Sequence, residues 1–325
     1  MLRNCTLVVA LLALAFIHSA GAGERSLTLM LDWTPNPDHV GLYYARDAGL
    51  FARNGLRVVI HAPSDPTTPL KLVALGRTDL AISYEQEVFF AAAKKLPIVT
   101  VAAVVPQPLN SIIAIDPKIH SVHDLTGRTI GVTGVPSDYA SLDTALASAG
   151  LTRKDVRVIT VGYNLLPALL SHKVDAVIGV YRNVEGVELR QRGLRPTIIP
   201  LDRAGVPFYD ELVLVANASR LRSDPAYKQA VRDFVGAFLA GTTQARFHPS
   251  HALAILEKVT SANRTFLARS TAATLPLLSG PNGIGCLRKA QWARFGAWLH
   301  SRSLLARPVA ASTVMTNEFL PARCR

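Results

Sequence analysis

The chain has 325 residues, 49% of them hydrophobic and 18% charged, with no low-complexity tract; this allows two lobes with real cores and excludes a disordered chain. The net charge is +12, but Lys and Arg are scattered as "RKDVR", "LRQRGLRP" and "ARFH", without a basic helix or interleaved aromatics. That describes a solvated basic surface and not a nucleic-acid interface.

Residues 1–22 read as a secretory signal. Arg3 supplies a short positive start, "TLVVALLALAF" an apolar run, and Ala20-Gly21-Ala22 a small-residue cleavage site. The run stops at His18, short of the ~20 apolar residues that a spanning helix needs. No cysteine sits at the cleavage site, which argues against a lipid anchor there. Once Cys5 leaves with the signal, Cys286 and Cys324 remain, and in an exported chain they either form a disulfide that pins the C-terminal tail or stay as two thiols. Neither has a close Cys or His companion, so no zinc motif is present.

From residue 26 strands and helices alternate. "SLTLML" reads as a strand, "GLYYARDAGLFARNG" as a helix stopped by Gly55, "LRVVIHAP" as a strand and "DPTTPLKLVALGRT" as a helix. "DLAISY", "EQEVFFAAAKKLP" and "IVTVAAVV" continue the pattern as strand, helix and strand. It then restarts with "NSIIAI", "TIGVTG", "VPSDYASLDTALASAG", "VRVITVG", "LLPALLSHKV" and "DAVIGVY". "ELVLVAN" reads as a strand returning to the first lobe, and from Pro225 the chain reads as the helices "DPAYKQAVRDFVGAFLAGTTQARFH", "HALAILEKV" and "KAQWARFGAWLHSRSLL". The alternation predicts an α/β protein whose sheets are parallel. Two such lobes enclose a cleft at the carboxyl ends of their strands, where ligands usually sit. The expected divisions are 1–22 for the signal, 23–108 for the first part of lobe 1, 109–205 for lobe 2, and 206–325 for the return to lobe 1 with the C-terminal helices.

The candidate site residues cluster at those strand ends. In "LDWTPNPDHVG", Trp33 can stack on a flat heterocycle, Asn36 offers both a donor and an acceptor, and His39 can reach a polar substituent. The same residues also read as a plain turn, with Asp38 capping the helix and Trp33 in the core. Tyr84 stands at the end of the third strand, while Glu85 and Glu87 suit a helix N-terminus. "GVTGVPSDYASLD" lacks the GxxxxGK[ST] and GxGxxG patterns. Its Pro136, Ser137 and Asp138 nevertheless open a helix whose bare N–H groups can hold a carbonyl or an anion, or which Ser137 or Asp138 simply caps. In lobe 2, Tyr181 and Arg182 end a buried strand with Glu185 just beyond. Glu185 can pair with two N–H groups of an aminopyrimidine-type ring, or equally with Arg182 or Arg190 on a solvated surface. No GxSxG, HExxH or CxxC occurs, so no catalytic motif compels an enzyme.

Together "LDWTPNPDHVGLYYARDAGLFARNGL", "GRTDLAISYEQEV", "DLTGRTIGVTGVPSD", "KVDAVIGVYRNVEGVELRQRG", "GVPFYDELVLVAN" and "TNEFLP" resemble one family. It comprises the solute-binding proteins of ABC transporters for thiamine pyrimidine precursors, and the fungal-type pyrimidine synthase that shares their fold. The resemblance runs from about residue 27 to residue 321. It implies a type II periplasmic-binding-protein fold closing on a small pyrimidine, with no cofactor. Trp33 and Tyr181 would line an aromatic slot, and Asn36, His39, Tyr84 and Glu185 would make polar contacts, with Pro136 and Ser137 a weaker transfer. It implies a periplasmic monomer that delivers its cargo to a membrane permease and its ATPase. The synthase branch has a cysteine-rich cluster and, after the third strand, a lysine and a histidine; here "GVPFYDE" lacks cysteine, and Ser83 and Glu87 fall at those positions. Serine cannot replace a Schiff-base lysine. A same-fold protein for riboflavin, a sulfonate or nitrate, and a sensory domain without transport, are the alternatives.

Overall fold

β1 (Arg25–Met30) runs parallel to β2 (Leu56–His61), in register from Arg25 opposite Leu56 to Met30 opposite His61. With β3 (Leu80–Ser83), β4 (Ile98–Val105) and β10 (Leu212–Asn217) they form a sheet of order β2-β1-β3-β10-β4 in this computed structural model, which describes residues 24–324. A second sheet, of order β7-β6-β8-β5-β9, contains β5 (Asn110–Ala114), β6 (Thr129–Val132), β7 (Arg157–Thr160), β8 (Ala176–Tyr181) and β9 (Thr197–Pro200). The expected export signal lies outside the described residues, among which no helix is long and apolar enough to cross a membrane.

Both sheets are mixed, which corrects the expectation of parallel sheets. β10 is antiparallel to β3 and β4, and β5 is antiparallel to β8 and β9. The reversed strand in each sheet is the first one after the chain crosses between lobes. Each crossing leaves one sheet at the cleft and enters the other at the cleft, so the entering strand must run away from it. The starts of β5 and β10 therefore lie side by side beneath the cleft.

The helices between strands are α1 (Val40–Asp47), α2 (Leu50–Arg53), α3 (Pro69–Ala74), α4 (Glu85–Ala93), α5 (Pro136–Ser148), α6 (Leu165–Leu170) and α7 (Glu185–Gln191). The helix expected across residues 41–55 is in fact two, separated by a turn at Ala48 and Gly49. After β10 come α8 (Ala218–Ser223), α9 (Pro225–Phe247), α10 (Pro249–Val259), α11 (Arg264–Thr274), α12 (Lys289–Ser301) and α13 (Ala311–Val314). α9 starts where Asp224 accepts the Tyr227 N–H and Pro225 fills the first turn.

α1 is fixed by close packing on α9. A Cβ at Gly241 would stand 2.5 Å from the Gly41 carbonyl oxygen, and one at Gly41 would strike the Thr242 hydroxyl. Only glycines permit this approach, and it sets the position of the turn that precedes α1. β10 is buried along its whole length between β3 and β4, which explains its unbroken apolar run "LVLVA". Cys286 and Cys324 are disulfide-bonded, with Cα atoms 5.0 Å apart, and join the stretch before α12 to the C-terminal turn.

Candidate functional site

The turn after β1 is built by its own side chains. Asn36 caps it, its Oδ1 accepting the Asp38 N–H at 2.8 Å, so the cap is Asn36 and not Asp38. In return His39 Nδ1 accepts the Asn36 N–H at 3.3 Å. With Nδ1 accepting, the ring proton sits on Nε2, which donates to Asp32 Oδ1 at 2.9 Å. His39 is fully buried and both its nitrogens are engaged. The sequence suggested a ligand contact for it; in the structure it holds Asp32. The other oxygen of Asp32 accepts the Tyr84 hydroxyl at 3.1 Å, and its backbone carbonyl accepts the Tyr163 hydroxyl from lobe 2 at 3.3 Å.

The facing wall comes from the end of β8. Tyr181 and Val184 lead into α7, and Glu185 Oε2 turns back to accept the Tyr181 N–H at 2.8 Å. Burial pushes the Glu185 carboxyl up to about 7, so near neutral pH it is poised between acceptor and donor. Gly179 makes room for the wall. A Cβ there would stand 2.9 Å from Thr133 and 3.1 Å from Asp138, and its φ of +90° is one that side chains avoid. Its N–H donates to Asn110 Oδ1 at 3.0 Å, beside an irregularity in the β5–β8 pairing.

Trp33, Asn36, Tyr84, Tyr181 and Glu185 thus meet around one small chamber, and Tyr84, Ser137, Tyr181 and Glu211 around a second that shares Tyr84, Gly179 and Tyr181 with the first. Each has a volume of about 20 Å³, which admits a water but no aromatic ring. The lobes are drawn together. Trp33 packs on the apolar cluster of lobe 2, and Asn183 Nδ2 donates to Asp38 Oδ1 at 2.7 Å and to Thr274 Oγ1 at 2.8 Å.

The start of α5 differs from expectation. Ser137 lines the second chamber, but its N–H donates to Glu87 Oε1 at 2.7 Å, and Asp138 accepts the Thr133 N–H at 2.8 Å. Pro136 faces a larger neighbouring cavity that shares Asp32 and Tyr84 with the first chamber. Of the N–H groups that open this helix, that of Ser137 is taken by Glu87 and that of Asp138 by the Val135 carbonyl.

Below the slot, Glu211 Oε2 accepts the N–H groups of Leu109 and Asn110 at 2.6 and 2.7 Å and the Tyr209 hydroxyl at 3.0 Å. One carboxylate thereby ties the two crossings together, and burial pushes it up to about 7. Next to it Asp210 donates its N–H to Glu85 Oε2 at 2.7 Å and accepts the Trp292 indole N–H at 2.7 Å. Burial raises both of these carboxyls, Asp210 to about 6. Glu85 is therefore a structural group beneath the site. Asp32, Tyr163, Asn183 and Glu211 escaped the sequence reading, although Asp32, Asn183 and Glu211 all stand inside motifs that drew notice. Among the described residues no group of three or more His, Cys, Asp or Glu side chains is placed to hold a metal ion.

A sequence profile described as NMT1/THI5 like matches residues 36–252. The chain is 34% identical over 294 residues to a Haemophilus influenzae protein named for thiamine biosynthesis, covering 88% of this chain and 90% of that one. It is 33% identical over 331 residues to the formylaminopyrimidine-binding protein of Halalkalibacterium halodurans, covering 97% and 99%. Among solved structures, the alkanesulfonate-binding protein SsuA from Xanthomonas axonopodis pv. citri, bound to MOPS, superposes with a TM-score of 0.71. That alignment covers 91% of this chain and 99% of the other at 17% identity, a likeness that shows the fold of periplasmic binding proteins.

Proposed function

The chain belongs to the NMT1/THI5-like family, and from that premise we propose that it is the extracytoplasmic solute-binding protein of an ABC importer for a thiamine pyrimidine precursor, formylaminopyrimidine or hydroxymethylpyrimidine. The observation that carries the ligand class is the pairing of an indole with a carboxyl across one slot. Trp33 on one lobe and Glu185 on the other line the same chamber. An aminopyrimidine ring stacks on the indole and buries its flat faces. Glu185, held near 7 by burial, accepts from the exocyclic amine when ionised and donates to a ring nitrogen when protonated. Tyr84 and Tyr181 close over the ring edges.

Closure of the lobes completes this site, because its walls come from both of them. The loaded protein acts as a monomer in the periplasm and delivers its cargo to a membrane permease driven by its ATPase. A sulfonate ligand is disfavoured, since the N–H groups that would hold an oxyanion at α5 are engaged by Asp138 and Glu87. A synthase reaction is disfavoured by Ser83 and Glu87, which stand where the family's enzymes carry a lysine and a histidine.

The test is calorimetry on residues 23–325 with formylaminopyrimidine, hydroxymethylpyrimidine, thiamine, riboflavin and taurine, repeated with Trp33→Ala and Glu185→Gln. Saturable pyrimidine binding that each substitution weakens by about tenfold or more supports the proposal. Binding of riboflavin or taurine in preference to the pyrimidines rules it out.

A further inference from the structure

The first turn of α5, in lobe 2, has no cap of its own. Val135 at the N-cap makes no side-chain bond, and Pro136 at the first position has no N–H to offer. The Ser137 N–H is satisfied instead from the opposite lobe, by Glu87 Oε1 at 2.7 Å. Glu87 stands in the first turn of α4, and the adjacent Gln86 also reaches α5, donating to Ser141 Oγ at 3.1 Å. Beside Glu87 opens a cavity of about 260 Å³, walled by Lys71, Lys94 and Phe90 from lobe 1 and by Gly134, Val135 and Pro136 from lobe 2. Two ammonium groups, a helix N-terminus and space for a substituent are the parts of an oxyanion site. Here a protein carboxylate occupies the anion's place.

We propose that Glu87 is a specificity-determining residue: on closure it supplies the oxyanion that the N-terminus of α5 would otherwise take from a ligand, so that the cleft accepts neutral or cationic heterocycles and rejects sulfonates and phosphate esters. The inference rests on the cleft being the ligand site, and it is independent of which heterocycle is bound. Burial holds the Glu87 carboxyl above its ordinary range, while the hydrogen bonds from Ser137 and, to a smaller extent, the ammonium groups of Lys94 and Lys71 draw it down. Asp138 completes the exclusion by filling the preceding turn at Thr133.

The experiment titrates taurine and inorganic phosphate into residues 23–325 as wild type, Glu87→Gln and Glu87→Ala, with formylaminopyrimidine titrated into the wild type as a separate arm. Thermal melting confirms that each variant is folded, and Glu87→Gln, which keeps an acceptor for the Ser137 N–H, guards against a collapse of the Ala variant. The wild type should ignore both oxyanions, and at least one variant should bind one of them at least about tenfold more tightly. Folded variants that bind neither oxyanion overturn the proposal, as does a wild type that already binds them. A wild type that ignores the pyrimidine while a variant gains an oxyanion leaves Glu87's role standing and removes the pyrimidine ligand.

Discussion

The indole of Trp33 and the phenol of Tyr163 meet edge to face across the cleft, with ring centroids 4.2 Å apart and planes at 89°. Trp33 leaves the end of β1 and Tyr163 follows β7, so this pair spans the two lobes. The Tyr163 hydroxyl adds a bond to the Asp32 carbonyl oxygen. The surface proposed to stack on a ligand is thus already engaged by the opposite lobe, and the closed form has contacts of its own before any cargo binds.

Tyr163 should therefore tune affinity through closure. Tyr163→Phe removes one hydrogen bond worth about 1 kcal/mol, and a fivefold weaker pyrimidine Kd is the expected outcome, on the order of that energy. Tyr163→Ala also removes the ring edge, adding about 1 kcal/mol more. Calorimetry checks both, and an unaltered Kd in Tyr163→Ala would mean that this contact does not govern closure.

Glu211 should matter more for stability than its place beneath the slot suggests. Glu211→Ala strands the buried N–H groups of Leu109 and Asn110, at a cost of about 2–4 kcal/mol. Glu211→Gln keeps an acceptor and should cost less. Urea denaturation of the two variants gives the comparison; equal losses would show that the hydrogen bonds to the crossings are not what Glu211 contributes.

Stability should fall as pH rises from about 4 through about 7. Burial holds Asp138, Glu185 and Glu211 up to about 7, and Asp38 and Asp210 up to about 6. The unfolded chain ionises these groups near 4. Between these values the native state binds more protons than the unfolded state, so the slope of stability with pH is negative. Their contribution is complete below about 4 and is lost as pH rises through about 7. The exposed carboxyls Asp65, Asp124 and Asp155, held low by hydrogen bonds to neighbouring hydroxyls and backbone N–H groups, act in the opposite sense and only at more acidic pH. Urea unfolding at pH 5 and pH 8 should differ by more than about 1 kcal/mol in favour of pH 5, and Glu211→Gln should reduce the difference.

The alternation of elements was legible because its strands are short apolar runs bounded by turn formers. "LAIS" and "LVLVAN" are wholly buried strands in the structure. Trp33, Asn36, Tyr84, Tyr181 and Glu185 were legible as site candidates because each stands at a strand's carboxyl end. Strand direction was not legible: the reversal of β5 and β10 follows from how the crossings enter the sheets, and neither strand carries a residue that marks it. α11 went unread because "RTFLARSTAAT" carries Ser and Thr on its buried side, Ser270, Thr271 and Thr274 among them. Asp32 was passed over because its partners are His39, seven residues on, and Tyr84, fifty-two residues on. The same holds for Glu87, whose partner N–H lies fifty residues away in the other lobe; from local sequence it is only an acid in a helix's first turn.

The Cys286–Cys324 bond closes a loop with a sequence separation of 38. Removing it should cost about 3–4 kcal/mol by the chain-entropy account. The double substitution Cys286→Ser with Cys324→Ser should lower the melting temperature and match the wild type melted in reductant. An unchanged melting temperature would show that the bond does not stabilise the fold.

The central claim is that a pyrimidine ring lies between Trp33 and Glu185, and the most direct measurement is a crystal structure of residues 23–325 grown with formylaminopyrimidine. The account predicts the ring stacked on the Trp33 indole, its amine within hydrogen-bonding distance of the Glu185 carboxyl, and Tyr84 and Tyr181 moved apart to admit it. Ring density in the cavity beside Glu87, or a cleft that remains without ligand at saturating concentration, would contradict it.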